Sequence, residues 1–162
     1  MVIKSAVTWV VLAAFLALNL LVASLGGWIT ASSVETWYQT INRPSFTPPD
    51  QVFGPVWTTL YLLMGLSAWR IWLQERTRGI HVTRALSLYF IQLGLNLLWS
   101  FLFFGLMNPL LAFLEIILLW IAILLTLVHF FRISRIAGML LIPYLLWASF
   151  AAILNFEIVR LN

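Results

Sequence analysis

Apolar residues in this chain come in long, nearly unbroken runs, at about 6–30, 54–74, 85–106, 109–131 and 137–158. Each run holds about 20 mostly apolar residues, enough to cross ~30 Å of hydrocarbon as a helix rising ~1.5 Å per residue. The strict apolar–polar alternation of barrel strands is absent, and helices satisfy their own backbone hydrogen bonds in lipid. The pattern therefore predicts an all-α membrane protein, a five-transmembrane-helix bundle forming a single domain over residues 1–162. The run from Ala6 to Ile29 follows Lys4 as a signal peptide would, but it is longer than a typical signal-peptide core. It is read as the first span.

The links between runs differ in kind. Residues 31–53 form the long one. Ser32 and Glu35 have the spacing of a capping box, which predicts a short helix carrying Trp37 and Tyr38. Pro44, Pro48 and Pro49 then impose an extended path. Residues 75–84 and 132–136 are basic links. Met107-Asn108-Pro109 is a very tight joint, so the third and fourth spans are predicted to be antiparallel neighbours.

Composition supports the lipid setting. Of 162 residues, 63% are apolar and 9% are charged, against about a quarter charged in soluble domains. There is no cysteine, hence no disulfide, thiolate metal site or cysteine nucleophile. His81 and His129 sit beside basic residues at the edges of apolar runs, which makes a metal site unexpected. A net charge of +4, scattered along the chain, does not suit nucleic acid. It suits orientation instead. Lys4, Arg70, Arg76, Arg78, Arg84, Arg132 and Arg135 fall on one side of the predicted bundle, leaving only Arg43 and Arg160 of the nine basic residues for the other. The positive-inside rule then places the N-terminus in the cytoplasm of a bacterial-type cell membrane.

Tryptophan is over-represented, with nine residues. An interfacial aromatic belt accounts for Trp9, Trp28, Trp37, Trp69 and Trp72. It leaves Trp99, Trp120 and Trp147 unexplained, and Trp57 heads a polar-aromatic stripe. Gln92, Asn96 and Trp99 share a helix face, as do Tyr144, Trp147, Ala151 and Asn155, and also Trp57, Tyr61 and Met64. Amides facing lipid would go unsatisfied, so these faces should turn inward. Two readings stand on pattern alone. One is an aromatic-walled ligand pocket opening toward the 31–53 loop. The other is helix glue, in which amides and small pairs such as Ala13/Ala17, Ala23/Gly27 and Ala148/Ala152 lock the bundle. Glu115 is the one acid well inside a run, a candidate for proton coupling or simply a carboxylic acid near the interface. Pro143 should bend the fifth span one turn before Trp147.

From about Gly26 to the end, the chain resembles the TspO/MBR family of tryptophan-rich sensory and translocator proteins. The resemblance rests on Trp37-Tyr38, the run from Arg43 to Pro49, Gly54-Pro55-Val56-Trp57, Leu60-Tyr61 and Met64-Gly65. It continues through Gln92, Asn96, Trp99 and Phe103-Phe104, then Pro143-Tyr144, Trp147, Phe150-Ala151 and Leu154-Asn155. Together, in this order and at these spacings, the motifs are highly specific. The resemblance implies a five-helix bundle, often a homodimer, with a pocket closed by the first loop. It implies binding of tetrapyrroles such as protoporphyrin IX, with Trp57, Asn96, Trp99, Trp147, Ala151 and Asn155 at pocket positions. Tyr61 and Tyr144 complete the candidate ligand-binding set from the shared faces. The resemblance also implies a sterol-associated segment, here Leu154, Phe156 and Arg160, in which Phe156 lacks the hydroxyl of the usual tyrosine. Phe46 stands where the family often has Trp, Glu115 where it often has Asp, and Asp50 where animal members have His.

The leading functional expectation is a membrane porphyrin sensor or regulator that needs no cofactor, with the ring as its ligand. Two alternatives are a light-dependent porphyrin-degrading enzyme, in which Trp147 and Trp57 would be the catalytic side chains, and a tetrapyrrole or small-molecule transporter with Glu115 as the sole candidate coupling group. The expected partners are the porphyrin, the lipid bilayer with sterol as a further candidate, and a second copy of the chain.

Overall fold

A computed structural model describes residues 6–162; Lys4 lies outside them. The five apolar runs fold as α1 (Ala6–Val34), α3 (Phe53–Arg78), α4 (Thr83–Ser100), α5 (Pro109–Ile133) and α6 (Arg135–Leu161), with a short α2 (Trp37–Thr40) in the long link. A single 3₁₀ turn, Asp50–Val52, leads into α3, and α4 continues as a π-helical turn, Phe101–Gly105. All five long helices have the length and hydropathy to cross a membrane. Among the described residues there is no strand.

The helices form a ring in the order α1, α3, α6, α5, α4, with α4 and its π turn closing back on α1. Large aliphatic side chains such as Leu118, Leu146 and Ile153 point outward and are exposed, whereas Met64, Ile71, Tyr89 and Phe130 fill the centre. The basic ends of α3 and α5 and the basic starts of α4 and α6 lie at one end of the ring, and Arg43 and Arg160 at the other.

Helix ends follow local chemistry. Asn108 caps α5 by accepting from the Leu111 N–H at 3.0 Å, and Pro109 takes the first turn, where its missing N–H costs nothing. The tight joint before it holds Met107 at φ 52°, a left-handed conformation strained for a residue with a side chain. Gly79 ends α3 at φ 66° and donates to the Glu75 carbonyl at 2.9 Å. In the α5–α6 hairpin, a Cβ on Gly138 would sit 2.3 Å from Phe131 Cγ. Gly138→Ala is therefore expected to cost about 1–3 kcal/mol by overpacking, read as loss of thermal stability in detergent. An unchanged melting curve would show that the ring moves aside freely.

Two sequence expectations are corrected. The Ser32/Glu35 capping box does not form. α1 runs on through Val34, so Ser32 Oγ bonds back to the Ile29 carbonyl at 2.7 Å, and α2 starts after Thr36 without a side-chain cap. Trp69 is not a belt residue: it is 9% exposed and its indole donates to the Thr8 carbonyl at 3.2 Å across α1 and α3. Trp37 is half-buried, packing edge-on against Phe103. Trp9 and Trp28 do face outward, at 54% and 77% exposure. α6 continues from Arg135 to Leu161 with Pro143 inside it.

Candidate ligand pocket

The inward stripes build two layers. The deeper one is a chain of hydroxyls and amides. Tyr61 on α3 donates to the Asn96 carbonyl oxygen on α4, and the Asn96 amide donates to the Tyr144 hydroxyl on α6 at 3.0 Å. One level further in, Asn19 on α1 bonds the Tyr89 hydroxyl at 2.5 Å and donates to the Phe15 carbonyl at 2.8 Å. These pairings matter because each orphaned polar group in hydrocarbon costs ~1–3 kcal/mol.

Above this layer lies a cavity of about 470 Å³. Its floor is Tyr61 and Asn96. Trp57, Trp99 and Trp147 bring indoles from α3, α4 and α6 to its wall, together with Ala151 and Asn155. The Trp99 indole donates to Asn155 Oδ1 at 3.1 Å, and the Asn155 amide donates to the Pro109 carbonyl at 2.8 Å. One amide thus joins α4, α5 and α6 and fixes the Trp99 ring. Trp99 stacks on Phe103 at 5.1 Å, and Trp147 meets Phe53 edge-on at 5.8 Å. The π turn carries Phe103 and Phe104 to the cavity, and Ser33 ties it to α1 by donating to the Phe104 carbonyl at 2.9 Å.

The loop over the cavity is strapped down at both edges. Asn42 accepts from the Asn162 amide at 3.0 Å and donates its own N–H to Asn162 Oδ1 at 2.9 Å, which pins the loop to the end of α6. Arg43 pairs with Asp50 at 3.2 Å and donates to Gln39 at 3.0 Å, while Gln39 donates to Asp50 at 2.9 Å. The Arg43 guanidinium also lies over the Tyr38 ring, 4.9 Å from its centre. Burial pushes the Tyr38 phenol above its ordinary range, and Arg43 pulls it the other way. Asp50 is thus part of the latch.

Of the residues singled out from sequence, Trp57, Tyr61, Asn96, Trp99, Trp147, Ala151 and Asn155 line the cavity. Tyr144 does not: it is 1% exposed and lies behind the floor, where it orients Asn96. Gln92 is buried one turn below Asn96, away from the lining. Trp120 is glue, donating to Ser149 at 2.8 Å between α5 and α6. Glu115 is buried on α5, outside the cavity wall and without a hydrogen-bond partner for either oxygen. The three residues expected at a sterol segment do not share one site: Leu154 faces the cavity, whereas Phe156 is exposed beside Phe113, and Arg160 pairs with Glu157. The α1 wall, formed by Ala23, Gly26, Gly27, Thr30 and Ala31, was missed. Its signal was the cluster of small residues in the outer half of an otherwise bulky helix.

These features define a multi-pass α-helical membrane protein with an aromatic, loop-covered pocket in one half of its bundle. Comparison with known proteins gives the class its family. Residues 7–161 match the TspO/MBR family, and the chain belongs to it. It is 48% identical over 138 residues to the tryptophan-rich protein TspO of Archaeoglobus fulgidus, covering 85% of this chain and 87% of the relative. It is 43% identical over 151 residues to the protein of that name in Chlorobaculum tepidum, covering 93% and 95%. The translocator protein of Sus scrofa is 36% identical over 146 residues, covering 88% and 86%.

Proposed function

We propose that this protein binds a protoporphyrin-type tetrapyrrole in the cavity and acts as a membrane sensor or regulator of such compounds. The observation that carries the reading is the convergence of three indoles, from α3, α4 and α6, on one hollow with two amides. Flat aromatic rings are held by stacked and edge-on aromatic contacts. A volume of about 470 Å³ falls in the usual range for small-molecule sites, roughly 300–1,000 Å³. Asn96 and Asn155 supply hydrogen bonds to pyrrole nitrogens or carboxylates. The lining includes no imidazole, so a metal-free ring fits its chemistry better than haem.

The test is quenching of tryptophan fluorescence by protoporphyrin IX in detergent. Trp99→Phe combined with Trp147→Phe is expected to weaken binding by about tenfold, equivalent to ~1.4 kcal/mol. Unchanged affinity would show that the ring binds elsewhere. Trp57 and Trp147 also stand where an excited porphyrin would meet an oxidisable indole, which favours light-dependent degradation as a second reading. Bleaching of the bound ring at equal rates in the unsubstituted protein and Trp147→Phe would remove it. Proton-coupled transport draws no support from Glu115, which is outside the pocket. The charge asymmetry supports a cytoplasmic N-terminus in a bacterial cell membrane, and a homodimer fits the family.

A further inference from the structure

We propose that the ligand enters from within the bilayer, through a lateral gap between α1 and α3 in the half of the bundle that holds the pocket. This inference rests on the proposed tetrapyrrole reading and names how that site is filled.

The gap follows from the course of α1. In its first half, α1 lies against α3. Trp69 reaches the Thr8 carbonyl, and Gly65 lets α3 approach so closely that a Cβ there would be 3.1 Å from Leu16 and 3.3 Å from the Phe15 carbonyl. In its second half, α1 leans onto α4 and the π turn instead. Gly26 faces Ser100 and Leu97, Ile29 meets Gly105, and Ser33 holds the Phe104 carbonyl. A helix that changes partner along its length must part from the first one. Where α1 and α3 separate, Gly27 and Ala31 on one side and Gly54 and Thr58 on the other both line the cavity and are exposed. A Cβ added to Gly27 or Gly54 would meet nothing within 4 Å.

The water-facing route is obstructed. The loop is fastened to the end of α6 through Asn42 and Asn162 and braced by the Arg43, Asp50 and Gln39 cluster. Opening it breaks several hydrogen bonds at once, whereas the lateral gap has small side chains and open space. A planar apolar ring with acidic groups partitions into the membrane interface, from which a gap between two spans is reached without leaving the bilayer. The partner this surface fits is therefore a membrane-dissolved planar amphiphile.

The test is stopped-flow quenching by protoporphyrin IX on the protein in nanodiscs. Gly27→Phe with Thr58→Phe narrows the gap and is expected to slow both association and dissociation at least tenfold. A second variant avoids any folding defect. The chain has no cysteine, so Gly27→Cys can be folded first, then capped in detergent with a bulky disulfide-forming reagent and reconstituted. Capping should slow both rates, and reduction should restore them. Normal binding with rates unchanged by capping overturns the lateral route. So does faster binding to the otherwise unsubstituted protein when the loop is freed by Asn42→Ala with Asn162→Ala. If the unsubstituted protein shows no quenching at all, the tetrapyrrole reading fails and this route for it falls as well.

Discussion

Asn96→Leu should be among the most damaging single changes to the bundle, with an expected loss of about 2–4 kcal/mol of stability. The side chain is buried, accepts from Tyr61 on α3 and donates to Tyr144 on α6. Leucine has similar bulk, so the loss is not a cavity effect. It leaves two phenol hydroxyls without partners in a region that water does not readily reach. Orphaning a buried polar group costs more than a hydrogen bond contributes, and removing all members of a network costs less than removing one. The triple variant Tyr61→Phe, Asn96→Leu, Tyr144→Phe should therefore recover part of the loss. Unfolding titrations in mixed detergent would measure both. A single variant within ~0.5 kcal/mol of the parent would mean that the hydroxyls find other partners and that Asn96 does not organise the floor.

Asn155→Ala is expected to strike stability and ligand affinity together. Its amide holds the Trp99 indole at 3.1 Å and the Pro109 carbonyl at 2.8 Å, joining three helices at the edge of the cavity. Truncation frees the indole to rotate and exposes the Pro109 carbonyl to an apolar surrounding. The expected cost is about 1–3 kcal/mol in stability. Affinity for protoporphyrin IX should fall about tenfold because an aromatic wall that is no longer pre-positioned must be ordered on binding. The comparison with Ser149→Ala separates the two effects. That change removes the acceptor of Trp120 on the α5–α6 seam, outside the cavity. It should lower stability and leave affinity intact. Equal loss of affinity in both variants would mean that general loosening of the bundle, and not the placement of Trp99, controls binding.

Both predictions turn on side chains whose inward orientation is visible in the periodicity. Asn96 and Trp99, and likewise Trp147, Ala151 and Asn155, recur at helical spacing, and amides are too costly to leave in lipid. That argument recovers most of the cavity wall. It fails at Tyr144, because helical spacing fixes a face but not a depth: one turn decides whether a phenol lines the hollow or braces its floor. It fails at the Ser32/Glu35 box because capping residues also occur inside helices, where serine bonds back to the preceding turn.

The sequence by itself determined the number of spans, the tight antiparallel joint at Met107-Asn108-Pro109, the segregation of basic residues to one end and the family motifs. These depend on local hydropathy, charge and spacing, which act within a span or across one turn. Only the tertiary structure decided that α1 changes partner midway, that the 31–53 loop is pinned to the end of α6, and that α5 and its Glu115 stand outside the pocket wall. Those outcomes depend on which helix faces approach closely. In a bilayer every apolar face is equally well solvated by lipid, so helix pairing is settled by close packing at residues such as Gly65 and Gly26 and by a few hydrogen bonds between residues distant in sequence.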